Sequence, residues 1–178
     1  MSPEEEVRRK ADLDSIREWF AYNDHVRKKY LNVLETLSPE QLTKDREASF
    51  PSLLDISEHI LWAYRLWIDE RYSGVRLNET DSFGQKCASL EQLKSDSDRT
   101  NPHILEFVNN LQPQDLVRWI ERPRDGETLR FNVEDMLWHL IEEELQHRGE
   151  LNALLWQIDI DPPITSWSRW KKETGRGP

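Results

Sequence analysis

The chain reads as an all-α protein, an antiparallel helical bundle with a small β-hairpin before its last helix. Three observations lead there. Apolar residues recur at three- and four-residue steps over four long stretches. Glycine is scarce, 6 in 178 residues, and the 9 prolines fall mainly between those stretches. One segment, LVRWIERPRDGETLRF, instead pairs two β-forming runs around Asp125-Gly126.

The first helix is expected from about Asp14 to Leu37, on a stripe that includes Ile16, Phe20, Val26, Tyr30 and Leu34. Ser38-Pro39-Glu40-Gln41 then has the form of a capping box opening a short turn. The second helix, about Ser52 to Tyr72, carries Leu53, Ile56, Ile60, Ala63, Tyr64 and Trp67, with His59 at the edge of that stripe and Ser73-Gly74 as its stop. A polar loop runs from Leu77 to about Cys87. The third helix opens at Ser89, where a second capping box is expected with Gln92, and ends near Leu111. Pro102 predicts a kink or break near Thr100. The hairpin strands fall at Leu116–Glu121 and Thr128–Phe131 and must rest on the bundle, since a lone hairpin is marginal in water. The fourth helix is capped by Asn132 and runs to about Ile158. After Pro162-Pro163, Trp167 and Trp170 are expected to dock, and the last few residues to be loose. The whole chain is expected to form one domain over 1–178, with its core at about 12–160 and a C-terminal tail over 161–178.

Composition excludes several classes of function. Asp and Glu number 34 against 24 Lys and Arg, a net charge of −10. Nucleic acid and anionic membrane surfaces call for the opposite sign. No apolar run is long enough to span a bilayer, and MSPEEEVRRK lacks the apolar stretch of a signal peptide. The single cysteine, Cys87, rules out an intrachain disulfide and is read as structural. A cytoplasmic protein is the simplest expectation. Most of the eight tryptophans are expected to fill core.

The fourth helix holds the informative stretch, HLIEEELQHRGELNALLW from His139 to Trp156. At 100° per residue, Met136, Leu137, Leu140, Leu151, Leu154 and Leu155 define a core arc. His147 and Glu144 fall inside it, and Glu142 points away. His139 and Glu143 approach it from one side, so His139, Glu143 and His147 stack turn over turn. Charged groups on such a face need compensation, by arginines, by a polar network or by a cation. Imidazole and carboxylate are ligands for zinc, nickel, iron and manganese. An i, i+4 pair on one helix can share an ion, and His59 is the natural third ligand.

HILWAYRLWIDE from His59 and HLIEEELQHRGEL from His139 resemble the second- and fourth-helix motifs of the DinB/YfiT-like metalloprotein superfamily. The order of elements is also similar, over about Asp14 to Ile158. The resemblance implies a four-helix bundle in up-down-down-up order and a divalent metal, commonly nickel or zinc, on three histidines. Carried over, the ligand positions are His59, Glu143 and His147. The sequence departs from the pattern at Glu143, where the family has histidine. That change makes a harder, more anionic site and leaves Zn, Ni, Fe and Mn open, with Glu144 as the alternative carboxylate. His139 matches a family histidine that lies near the site and orients a ligand or a bound water. Arg148 is expected to pair with a carboxylate, Glu144 for example.

The resemblance implies a metal-dependent hydrolase or thiol-dependent transferase, acting on a small-molecule or thiol substrate, and a homodimer. The alternative is a non-catalytic, stress-associated or interaction protein of the same fold, with a structural metal or none. A ferritin-like di-iron centre needs two Glu-x-x-His motifs, and only Glu144–His147 supplies one.

Overall fold

A computed structural model describes residues 2–77, 86–124 and 126–176. Helix α1 runs from Pro3 to Leu34, starting well before the apolar stripe begins. Ser2 accepts a hydrogen bond from the Glu5 amide, Pro3 fits the first position, and Glu4, Glu5 and Glu6 complement the helix dipole. These exposed turns carry no apolar periodicity, which is why the sequence reading began at Asp14. The short helix α2 (Pro39–Thr43) has the expected reciprocal capping box between Ser38 and Gln41.

Helix α3 (Leu53–Arg65) continues without a break into a π-helical segment, Leu66–Tyr72. The sequence reading had one regular helix here. The wider turn brings Trp67 and Arg71 face to face, with the guanidinium 4.0 Å from the ring centroid. Most of the polar loop expected between Leu77 and Cys87 lies outside the described residues.

Helix α4 (Leu90–Asn110) runs through Pro102 as one helix, so of the expected kink or break the break does not occur. Proline removes one internal hydrogen bond, but the two residues just before it are anchored. Thr100 and Asn101 are buried, and they accept hydrogen bonds from Arg65 and Arg27. Ser89 caps α4 through the Gln92 amide, but the Gln92 side chain accepts from Ala88, one residue short of a full box.

Strands β1 (Trp119–Arg124) and β2 (Glu127–Asn132) pair antiparallel, with Trp119 opposite Asn132. The expected first strand began at Leu116, but that residue is fully buried before β1 and its carbonyl accepts from Glu134. In the expected turn, Asp125 lies outside the described residues, while Gly126 takes the positive φ of 86° that favours glycine. Asn132 then caps α5 (Val133–Trp156) through the Glu134 amide.

Side-chain pairs fix the direction of each helix. Arg9–Glu134 and Arg27–Glu144 run α1 parallel to α5. Arg17 and Arg27 meet the far end and the middle of α4, so those two are antiparallel. His59–Glu143 and Ser49–Glu150 set α3 antiparallel to α5, and Arg65–Thr100 with Asp69–His103 set α3 parallel to α4. The order is therefore up-down-down-up. Each of α1 and α3 packs on both α4 and α5. Leu13, Ile16, Phe20, Leu53, Ile56, Leu137 and Leu155 are fully shielded in the core between them.

The C-terminal segment closes one flank. Helix α6 (Trp167–Glu173) stacks Trp167 on Trp19 at 4.6 Å and buries Trp170. Both tryptophans dock as expected, while residues 177–178 lie outside the described set. Trp19 and Trp67 also pack against the core, and Trp67 lines a cleft together with Trp62. The core-filling reading fails for Trp119, Trp138 and Trp156, which are exposed. No described helix is long and apolar enough to cross a membrane.

Candidate metal centre

Helices α3 and α5 bring His59, Glu143 and His147 together, with one ligand atom of each within 4.8 Å of the others. Oε1 of Glu143 lies 2.9 Å from Nε2 of His59 and 3.2 Å from Nε2 of His147. Two ligands about 2.1 Å from a shared ion, at ordinary coordination angles, stand roughly 3–3.5 Å apart. The donor set and its spacing therefore fit a divalent metal.

His147 gives an independent reason. Its Nδ1 lies 3.2 Å from Oε2 of Glu150, while its Nε2 faces Glu143. A neutral imidazole has only one N–H to donate, so it cannot satisfy two carboxylates. A metal ion between the ring and one of them would satisfy the second carboxylate. Glu150 is itself held by the amide of Ser49 at 2.8 Å and by its hydroxyl at 2.6 Å. That makes Nδ1 the natural protonated nitrogen and turns the lone pair of Nε2 toward Glu143, in the carboxylate–histidine arrangement that supports metal ligands.

Protonation states agree with this picture. Burial pushes His59 below the ordinary 6.5, with nearby His147 adding to the shift and the hydrogen bond to Glu143 opposing it. Burial pulls Glu143 upward, but its bond to His59 and the imidazole charges outweigh that and hold it below its ordinary value. The result is a neutral imidazole beside an ionised carboxylate, the forms a metal requires. Glu150 is likewise held low, its bonds from Ser49 overcoming burial.

Phe50 closes one side of the triad, stacked on His59 at 4.0 Å and edge-on to His147 at 5.4 Å. His59, Glu143 and His139 border a cleft of about 800 Å³. His139 stands at its rim, with Nε2 4.0 Å from the second oxygen of Glu143 and its ring 5.0 Å from Trp67. His139 and exposed Glu142 form a second, looser group with Glu143.

Glu144 lies elsewhere. It is fully buried and accepts from Arg27 at 2.5 Å and from Tyr64 at 2.7 Å. The expected Arg148–Glu144 pair is replaced by Arg27–Glu144, and Arg148 reaches the Asn23 side chain at 3.4 Å instead. Sequence reasoning missed Glu150, Ser49 and Phe50. Glu150 follows His147 at i+3, the spacing already used for its neighbours, whereas Ser49 and Phe50 sit in an irregular segment with no periodic signal.

An up-down-down-up bundle with a His-Glu-His cluster between its second and fourth long helices defines a class of candidate metalloproteins. Comparison with known proteins narrows it: the DinB family model matches residues 8–176, and the chain belongs to that family. It is 22% identical over 144 residues to Protein DinB of Bacillus subtilis strain 168, covering 78% of this chain and 83% of that protein. It is 23% identical over 156 residues to the uncharacterized protein YizA of the same strain, covering 85% and 93%. A crystal structure of a DinB-like protein from Bacillus cereus ATCC 10987 superposes with a TM-score of 0.65 at 18% identity, covering 85% of this chain and 95% of that one.

Proposed function

We propose that the protein binds one divalent metal ion through His59, Glu143 and His147 and uses it to transform a small molecule in the adjoining cleft, by hydrolysis or by thiol-dependent transfer. One observation carries the reading. The ligand atoms of His59, Glu143 and His147 lie together, and two of these residues, His59 and Glu143, line an open cleft; catalytic sites keep such an open side where structural sites are sealed. Two imidazole nitrogens and one carboxylate suit zinc, iron, manganese or nickel.

A divalent ion held by these residues would supply Lewis acidity, lowering the pKa of a water or a thiol toward neutral. The protein's own groups do the rest. Glu150 fixes the His147 ring. Phe50 excludes water behind His59. His139, half exposed at the rim, is placed to hold or pass a proton at Nε2.

The test is to load metal-free protein with zinc, nickel, manganese and ferrous iron in turn. Each form is assayed for ester hydrolysis and for addition of a low-molecular-weight thiol to an electrophile. The reading expects turnover with at least one ion, lost in His59→Ala and His147→Ala. Rates no better than free metal with every ion would refute catalysis.

A further inference from the structure

We infer that the cleft beside the triad is a binding site for a small organic anion, carboxylated or phosphorylated, held by Arg76 and Arg122. The inference rests on the reading of the triad as the working end of that cleft. The chain is strongly acidic, at −10. Yet the described residues lining the cleft include three arginines, Arg71, Arg76 and Arg122, against two carboxylates, Glu70 and Glu143. The sign of the charge is locally reversed. Any cation at the triad would increase the excess and would draw an anion inward.

The arginines are not equivalent. Arg122, on β1, donates through Nη2 to the Tyr72 carbonyl at 2.6 Å and through Nη1 to the Glu121 carbonyl at 3.1 Å. These bonds pin the guanidinium against the end of the π-helical segment and leave its Nε buried with no partner. Gly74, beside the guanidinium, takes a φ of 75° that favours glycine. Arg71 sits over the Trp67 ring. Arg76 is exposed and makes no hydrogen bond or ion pair among the described residues. A pinned arginine and one with no partner among the described residues, on the same wall, suit an oxyanion, because a guanidinium matches carboxylate and phosphate with paired donors. A cleft near 800 Å³ fits a whole organic molecule and not a bare ion. Trp62, Leu66 and Leu129 supply apolar lining for its body.

The experiment titrates full-length protein, metal-free and zinc-loaded, with succinate and with glycerol 3-phosphate, using succinamide and glycerol as neutral controls. Binding is read by calorimetry and by tryptophan fluorescence. We expect saturable binding of at least one anion and none of either neutral analogue. Preference between the two anions then assigns the oxyanion. Arg76→Glu and Arg122→Gln should each weaken binding roughly tenfold or more, Arg76→Lys less, and Arg8→Glu, which does not line the cleft, by under about twofold. Arg76 is exposed, so its variants keep the test decisive should Arg122→Gln fold poorly. His147→Ala separates this claim from the metal reading, since the arginine-dependent binding should persist there after metal is lost. Arginine-dependent binding in a protein that takes up no metal would sink the metal reading alone. No saturation by about 20 mM of either anion, or wild-type binding in both arginine variants, would overturn the inference.

Discussion

Nδ1 of His147 lies 3.2 Å from Oε2 of Glu150, three residues further along α5. The same carboxylate takes both hydrogen bonds of Ser49, so it is anchored outside the helix and holds the ring from behind. Partners of this kind tune metal affinity without supplying a ligand. Glu150→Ala should therefore leave the saturating metal stoichiometry unchanged and weaken affinity by about 10- to 100-fold. Competition against a chelator of known affinity measures it. An unchanged affinity would remove Glu150 from the account.

The buried pair Arg27–Glu144 serves the fold. Its side chains are 7% and 0% exposed, and Tyr64 donates to the same carboxylate oxygen. Removing one member strands the other charge in the core, at about 3–5 kcal/mol. Glu144→Ala should lose that much in denaturant unfolding, and Arg27→Met with Glu144→Leu should recover at least half. A double variant as unstable as the sum of the singles would contradict this. The same result makes Glu144→Ala a poor control for metal binding, because lost metal there would report lost structure.

Much of the fold was legible because it rests on periodicity and caps. The stripes of α1, α3 and α5 placed their helices, and Ser38, Ser89 and Asn132 marked helix starts correctly. The first turns of α1 were not legible, since they are exposed and bury nothing. Nor was the π-helical stretch after Arg65, because apolar spacing does not distinguish the two windings over so few residues. At the site, the i, i+4 spacing on α5 located Glu143 and His147. Choosing between Glu143 and Glu144 depended on Arg27, which lies far away in sequence and faces Glu144 only in the folded bundle. The cleft's arginines come from the π-helical end, the segment after it and the hairpin, so no single motif contained them.

Stability of the metal-free protein should fall as pH falls. His59 is depressed below the ordinary 6.5, so the unfolded chain takes up the proton first. Its contribution is present above that value and is lost on descending through the depressed one. Glu143 and Glu150, held below their ordinary 4.5, act in the same direction further down. Unfolding midpoints in urea, measured from about pH 7 to about pH 4, should decline throughout. His59→Gln should flatten the upper part of that decline. Burial also depresses His25, so the difference between the two proteins isolates His59. Parallel curves would exclude it.

Cys87 should be inert in the folded protein. Burial, with the charge of Glu58 adding to it, pushes its thiol up to about 12. At pH 9 on the order of 10⁻³ of it is ionised, against most of an ordinary thiol. Iodoacetamide at that pH should label denatured chains quickly and native chains far more slowly, as mass spectrometry would read. Equal rates would contradict the buried placement.

The central claim is a single metal site made by α3 and α5, and metal content tests it most directly. Tag-free protein, purified and offered zinc, nickel, manganese and ferrous iron in turn, is analysed by plasma mass spectrometry beside His59→Ala, Glu143→Ala, His147→Ala and Glu142→Ala. The account predicts about one ion per chain, lost in the first three variants and retained in Glu142→Ala, with circular dichroism unchanged in all. Wild-type protein that binds none of the four ions, or Glu143→Ala that binds them as wild type does, would contradict it.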